Sequence, residues 1–295
     1  MSNVLLLRAP SQGSSDHYES SLRSRGYNPL SVSVLETVIV QLAELARRIR
    51  IGPKEQAYAG VIVTSKRAVE AWSSAIQEIL STSQEQDLVD WASVPFYVVG
   101  ETTASALHDI RTTYDSPWAP KDIRGGAESG TAESLARFII RDLDPPIGNG
   151  QHNRLFYLTG DKNRDTLPSL LEQGGIDLEP LQVYATRGSS RFAKDLADVL
   201  HPTPLCSDSQ EAWGWIVFFA PSAAEFVTPT LRSSFILPMA AESPPIRPTP
   251  NVKIAAIGPT TAAFLRETLS FAVAVVASKP NAEDLASAIM RHGEE

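Results

Sequence analysis

Only one cysteine, Cys206, occurs in the 295 residues. A lone thiol forms no internal disulfide, no cysteine-rich zinc site and no iron–sulfur cluster, and it fits a reducing, cytoplasmic setting. Long apolar runs are lacking too. None approaches the roughly 18 to 20 residues that cross a bilayer, so no membrane association is expected. The first strand-like run begins at Val4, so no leader peptide is expected. Positive charge is scarce: 26 Lys and Arg face 34 Asp and Glu, for a formal charge of −8, and no basic block exceeds the Arg47-Arg48 pair in its short cluster. Nucleic acid is therefore not an expected partner. An anionic ligand has to be held by local geometry, because the overall field opposes it.

Several chemical signatures are missing as well. No Gly-x-Gly-x-x-Gly occurs, which removes the ordinary dinucleotide fingerprint. Gly125-Gly126-Ala-Glu-Ser-Gly130 has the glycines of a phosphate loop, but no Gly-Lys-Ser/Thr follows and no strong strand precedes it. Without a Gly-x-Ser-x-Gly elbow, a serine hydrolase loses its main support. His17, His108, His152, His201 and His292 are scattered with no i,i+4 pair, so they read as surface or loop residues and no metal is expected. Asp161, Asn163, Asp165 and Glu172 approach a calcium loop. Thr166 stands where that loop needs glycine, Pro168 breaks the pattern, and a strand precedes it instead of a helix. The stretch reads as a strand-to-helix turn with polar caps.

What is present is the composition of a globular chain, 43% hydrophobic and 20% charged, long enough for two domains. Short β-rich runs at 4–7, 60–64, 96–99, 155–158, 181–186, 215–219, 253–257 and 273–277 alternate with amphipathic segments at 68–79, 102–110, 131–143, 166–173, 191–200 and 282–290. That alternation predicts parallel sheets covered on both faces by helices. Four stretches, 81–93, 144–153, 202–214 and 240–251, read as inserted surface loops from their Ser, Pro, Gly and acidic content.

The chain also resembles itself. Val4-Leu5-Leu6-Leu7 answers to Leu155-Phe156-Tyr157-Leu158, and Gly26 with Pro29-Leu30 to Gly175 with Pro180-Leu181. Ser65 to Glu70 answers to Ala220 to Glu225, Gly100-Glu101-Thr102-Thr103-Ala104 to Gly258-Pro259-Thr260-Thr261-Ala262, and Ala132-Glu133-Ser134-Leu135-Ala136 to Ala282-Glu283-Asp284-Leu285-Ala286. The partners lie about 150 to 158 residues apart, a drift that loop lengths account for. Any one pair is explained by chance. Five in the same order are not, and they predict a duplication giving two similar α/β lobes.

Thr64-Ser65, Gly100 to Thr103, Thr159-Gly160, Ala220-Pro221-Ser222 and Gly258 to Thr261 each follow a predicted strand and open a helix. In open α/β sheets that edge binds ligands. Free N–H groups at a helix start, helped by hydroxyls, hold carboxylates without a large positive charge. Ser and Thr are also preferred helix caps whatever the function, so one such turn alone decides nothing. Their recurrence in both halves favours a shared cleft.

On these residues the chain resembles the uroporphyrinogen-III synthases over nearly its whole length. The resemblance rests on Val63-Thr64-Ser65-Lys66-Arg67-Ala68-Val69-Glu70, Val99-Gly100 with Thr103-Ala104, Leu181-Gln182-Val183-Tyr184-Ala185-Thr186, Phe218-Phe219-Ala220-Pro221-Ser222 and Ala256-Ile257-Gly258-Pro259-Thr260-Thr261-Ala262. It implies two flavodoxin-like α/β/α lobes joined by a two-stranded linker, one of residues 1–35 plus 188–295 and the other of 37–185, with the active-site cleft between them. The implied activity is that of a cofactor-free, monomeric, cytoplasmic lyase. Its implied substrate is hydroxymethylbilane, four linked pyrroles with eight carboxylates, closed to uroporphyrinogen III with the last ring inverted and water lost. The substrate also cyclises without inversion when free, so the protein must impose a fold on it.

Carried over residue by residue, the resemblance makes Thr64, Ser65, Gly100, Thr102, Thr103, Gly160, Ser222, Ala223, Gly258, Thr260 and Thr261 carboxylate-gripping positions. Arg67, Lys162 and Arg164 become rim cations, and Tyr184 the candidate that helps the hydroxyl leave; a strand-end tyrosine that simply packs between lobes is the other reading of Tyr184. Two departures from the family pattern stand out: Glu101 puts a negative charge beside a carboxylate position, and Ala220 replaces a hydroxyl residue. The alternative is a two-lobed binding or regulatory protein that closes on an anionic small molecule without chemistry.

Overall fold

The computed structural model describes residues 2–11, 15–82, 90–114, 116–143, 153–201, 212–240 and 252–294. Most of the stretches 144–153, 202–214 and 240–251, part of 81–93, and Cys206 and His152 lie outside the described residues. The chain divides into two compact units: unit 1 comprises Met1–Glu36 and Arg187–Glu295, and unit 2 comprises Thr37–Thr186.

In chain order the elements begin with β1 (Ser2–Leu7), α1 (His17–Arg23), β2 (Tyr27–Ser31), β3 (Leu35–Ile39), α2 (Leu42–Ile51), β4 (Tyr58–Val63), α3 (Lys66–Thr82) and β5 (Pro95–Val98). They continue with α4 (Glu101–Thr113), β6 (Asp122–Arg124), α5 (Ala132–Asp142), β7 (Arg154–Thr159), α6 (Thr166–Gln173), β8 (Asp177–Gln182) and β9 (Tyr184–Gly188). The last are α7 (Phe192–Leu200), β10 (Trp213–Phe218), α8 (Pro221–Ser234), β11 (Lys253–Ala256), α9 (Pro259–Glu267), β12 (Val273–Val276) and α10 (Ala282–Glu294).

Unit 1 is built on a five-stranded sheet of order β12-β11-β10-β1-β2, and unit 2 on one of order β6-β5-β4-β7-β8. All the pairings within both sheets are parallel. Replacing each strand by its counterpart in the sequence repeat turns one order into the other. Each sheet takes two strands from one repeat and three from the other. β3 and β9, which occupy equivalent places in the two repeats, form a separate two-stranded sheet.

The central strands explain why the layers form. Leu5 and Leu7 pack into one cluster and Val4 and Leu6 into another, so β1 is buried on both faces. β4 does the same with Val61 and Val63 on one side and Ile62 on the other. Strands with no solvated face read as continuous apolar runs and need helices on both sides. α3 meets that need with Ala68, Trp72, Ala75, Ile76 and Ile79 at helical spacing on its buried face.

Three sequence expectations are corrected. The run 181–186 is not one strand: β8 ends at Gln182, β9 starts at Tyr184, and the two belong to different sheets. Val183 makes the transfer, donating its N–H to Thr159 and offering its carbonyl to Val40. The stretch 81–93 is not wholly surface loop, because Trp91 is fully buried, donates its indole N–H to the Ile49 carbonyl at 2.7 Å and meets Trp72 edge-on at 5.1 Å. The stretch 202–214 likewise ends inside β10, which starts at Trp213.

The Gly125 loop has a packing reason for its glycine. Gly125 has φ +98°, and a Cβ there would lie 2.7 Å from the Val98 carbonyl and 2.8 Å from Ser129 Oγ, which itself donates to Val98 at 2.7 Å. Gly125→Ala is therefore expected to cost about 2 kcal/mol or more through strain and overlap, measurable as a lower midpoint in chemical denaturation.

In unit 1 the connection after β1 is tied down by one carboxylate. Asp16 is 7% exposed and accepts from Arg8 at 2.6 Å, Ser11 N–H at 2.8 Å, Tyr18 N–H at 3.0 Å and Glu19 N–H at 3.2 Å. Burial alone raises its carboxyl, but the Ser11 N–H, the Arg8 guanidinium and the Glu19 N–H outweigh it and hold the group well below the usual carboxylate range. A depressed folded-state value means that the stabilisation is present above the unfolded value near 4 and disappears as pH falls through the folded one. Asp16→Asn should thus lower unfolding free energy at pH 7 by about 1–3 kcal/mol, and the gap to the parent protein should shrink in denaturation curves taken below pH 4.

Candidate functional site

Because every strand of a sheet runs the same way, each unit gathers its strand ends and helix starts on one edge. In unit 2 that edge carries Thr64-Ser65 after β4, Val99-Gly100 after β5, Gly125 after β6, Gly160 after β7 and Val183-Tyr184 after β8. Thr64 and Ser65 are half-buried and Arg67 is exposed. The Ser65 hydroxyl accepts the Ala68 N–H at 3.3 Å, which caps α3. Gly100 caps α4 with φ +75°, has no side chain to offer, and has open space where a Cβ would stand. Its own N–H goes to the Ser129 carbonyl, and its carbonyl takes the N–H groups of Thr103 and Ala104. Thr102 is exposed. Thr103 is 5% exposed and its N–H is already bonded within the turn. The Glu101 side chain is exposed and its carboxylate reaches toward Gly126, 3.2 Å from where a Cβ would stand there.

Tyr184 sits tightly against this edge. A Cβ on Gly160 would lie 2.4 Å from the Tyr184 ring and 2.7 Å from its hydroxyl, so only glycine lets the ring stand there. The Arg67 guanidinium lies 5.9 Å from the centre of the same ring. The loop between Gly160 and α6 secures the arrangement: Asn163 bonds both the N–H and the carbonyl of Gly160, and Asp161 accepts the Thr186 N–H at 3.1 Å. These side chains are spent on the backbone of their own unit, and among the described residues no cluster of His, Cys, Asp and Glu suits a metal ion. Gly160 does not open a helix directly, since α6 starts only at Thr166; Lys162 and Arg164 lie exposed in the intervening turn.

Tyr157 is a residue that sequence reasoning did not single out. It is 5% exposed, and its strand β7 pairs with β4, which ends beside Thr64. Burial pushes the phenol up, Thr64 opposes the shift, and nearby Tyr184 adds to it. The strand pattern at 155–158 marked it only as core.

In unit 1 the corresponding edge carries Arg8 after β1, Ala220 after β10 and Gly258 after β11. α8 and α9 start alike. Ala220 and Gly258 are their caps, Pro221 and Pro259 stand in the first turn, and neither helix has a side-chain cap bond. Proline brings no N–H, so the leading donors are those of Ser222 and Ala223 in one helix and Thr260 and Thr261 in the other. Ser222 and Thr260 are exposed, while the Ala223 and Thr261 side chains are buried. β10 and β11 are neighbours, so two uncapped helix starts lie side by side.

Arg8 was also missed. Its guanidinium rests 4.8 Å from the Tyr18 ring centre and 5.6 Å from that of Phe219, and the two rings meet edge-on at 5.1 Å. Asp16-His17-Tyr18-Glu19 has the spacing of a capping box, which was the available signal. A groove of about 770 Å³ lies between the starts of α1 and α10, and its lining includes Glu283 and Asp284, which makes it a poor receptacle for carboxylates.

The opposite edge of unit 2 has few spare donors. There Glu179 accepts from the Tyr58 hydroxyl at 2.6 Å and pairs with Arg48 at 2.5 Å and Arg154 at 2.8 Å. The side of the sheets suited to an anion is therefore the one with uncapped helix starts.

The model of the family described as uroporphyrinogen-III synthase HemD matches residues 16–289. A Saccharomyces cerevisiae uroporphyrinogen-III synthase is 28% identical over 276 residues, covering 93% of this chain and 90% of its own. The Schizosaccharomyces pombe uroporphyrinogen-III synthase is 28% identical over 295 residues, covering 100% and 99%. Among solved structures, uroporphyrinogen-III synthetase from Helicobacter pylori aligns over 99% of both chains with 17% identity and a TM-score of 0.46. With a family match running through almost all of its sequence, the chain belongs to the uroporphyrinogen-III synthase family.

Proposed function

We propose that this protein works as a uroporphyrinogen-III synthase, a lyase that closes hydroxymethylbilane, expels water and inverts the last pyrrole. The family match carries the reading, and the paired uncapped helix starts of α8 and α9 support it physically. The substrate is a flexible polyanion, and the chain has a net charge of −8. Main-chain N–H groups and hydroxyls at Thr64, Ser65, Thr102, Ser222, Ala223, Gly258, Thr260 and Thr261 hold carboxylates by direction rather than by bulk charge, while Gly100, whose own N–H is bonded to the Ser129 carbonyl, leaves open space at the start of α4 for the ligand to approach. Thr103 contributes by packing the start of α4, since its side chain is buried. Arg67, Lys162 and Arg164 supply exposed cations. Each charge-assisted bond contributes roughly 1.5–3 kcal/mol, so a few of them restrain the bilane in the conformation from which ring inversion follows. Catalysis is then mainly a matter of positioning.

In this reading Tyr184 donates a hydrogen bond to the departing hydroxyl of the first ring. Its phenol is placed by Gly160 and steadied by Arg67. Loss of that hydroxyl leaves an azafulvene, which the substituted carbon of the last ring attacks. The resulting spiro intermediate breaks and recloses with that ring reversed. No cofactor enters this scheme.

A coupled assay that supplies hydroxymethylbilane tests the activity. Uroporphyrinogen III well above the spontaneous isomer I background is the expected product, and tight binding with an unchanged isomer ratio would instead favour the binding-protein alternative. For Tyr184→Phe, kcat should fall on the order of 100-fold, and a fall under about threefold removes the phenol from the chemistry. Gly160→Ala should displace the same ring and lower kcat at least about tenfold, with the double variant Gly160→Ala/Tyr184→Phe little worse than Tyr184→Phe alone. Additive losses in that cycle would show that Gly160 does not act through Tyr184.

A further inference from the structure

Arg8 combines a buried carboxylate partner with two aromatic contacts at the carboxyl edge of the unit 1 sheet. Leu7 pairs with Phe218 in the parallel register, so Arg8 and Phe219 leave the sheet side by side. Phe219 precedes Ala220, the cap of α8, so Arg8 stands at the carboxyl edge of the unit 1 sheet, with its guanidinium on the side where Tyr18 and Phe219 pack. Its side chain is 21% exposed. Nη1 is bonded to Asp16 at 2.6 Å, while Nε and Nη2 have no acceptor among the described residues. Contact with the rings of Tyr18 and Phe219 fixes the guanidinium plane. A guanidinium held this way loses little side-chain freedom when it takes up a ligand.

We propose that Arg8 is a substrate-binding residue that holds one carboxylate of the tetrapyrrole at the unit 1 edge, with Asp16, Tyr18 and Phe219 as its positioning residues. The inference rests on the synthase reading and extends it by naming a cation which neither the sequence motifs nor the helix starts provide. Its ligand class is a planar carboxylate, matched by paired guanidinium N–H donors.

The full chain and its Arg8→Met and Arg8→Lys variants separate the possibilities. Met keeps the aliphatic stem on the two rings and removes the charge. For Arg8→Met we expect KM for hydroxymethylbilane to rise roughly tenfold or more, the size of one charge-assisted hydrogen bond, with kcat within about threefold. Binding of uroporphyrin, an octacarboxylate probe read by its fluorescence, should weaken by a similar factor. Arg8→Lys keeps the charge but not the paired donors, so it should recover part of both and leave KM raised about threefold. A folded Arg8→Met with a lower Tm but unchanged KM and unchanged uroporphyrin binding overturns the proposal and makes the pair structural. If Arg8→Met does not fold, Arg8→Lys decides: a KM raised about threefold or more supports the proposal, and an unchanged KM overturns it. If the parent protein yields only isomer I yet binds uroporphyrin in an Arg8-dependent manner, the synthase reading falls and the carboxylate site stands. If the parent protein neither forms isomer III nor binds uroporphyrin, both fall.

Discussion

Parallel pairing at the centre of each sheet, β1 on β10 and β4 on β7, is the constraint from which the rest follows. In each pair, one strand comes from each sequence repeat, so neither sheet is complete with one repeat alone. Because the strands all run in the same direction, their carboxyl ends and the helix starts that follow collect on one edge of each unit. Burial on both faces makes that direction hard to reverse: Val4, Leu6, Ile62, Leu5 and Val61 are all fully buried, and a slipped register would turn whole rows of such side chains out of the core.

The edge so formed suits an anion on a negatively charged protein. Charge on the scale of the whole molecule repels a polycarboxylate, while a helix start presents its donors within a few ångströms and is little affected by distant acidic groups. α8 and α9 keep their leading N–H groups free because Ala220 and Gly258 have no side chain that caps them and proline follows each. α3 and α5, by contrast, are capped by Ser65 and Thr131. The same hydroxyl type therefore plays different parts at different turns, and the difference lies in whether its oxygen is already bonded to its own helix.

The buried central strands were legible from composition, since β1, β4, β7, β10 and β11 are runs of Val, Ile, Leu, Phe and Ala with no polar alternation. The elements not anticipated lack local signals. β2 contains Pro29 and is an edge strand, paired only with β1, which is where proline is tolerated. β6 is three residues long. α1 has seven residues and buries only Leu22, and α2 starts from Gln41 at φ +51° without a side-chain cap. At the site, Thr64, Gly100, Ser222 and Gly258 were readable as strand-to-helix turns. The Arg8–Asp16 bond and the stacking of Tyr184 on Gly160 were not, because each joins residues that local periodicity does not connect.

The sequence by itself determined the parallel α/β class, the duplicated order of elements and the positions where chain direction changes, all of which depend on neighbouring residues and on burial period. Only the tertiary structure decided which repeat supplies which strand to which sheet. The two repeats carry nearly the same apolar pattern, so β1 satisfies the local rules equally well beside β4 or beside β10. The choice is made by packing against helices far along the chain. Tertiary structure also decided that Val183 ends one sheet and opens the way to another, since a single β-forming run contains no mark of the point at which its hydrogen bonds change partners.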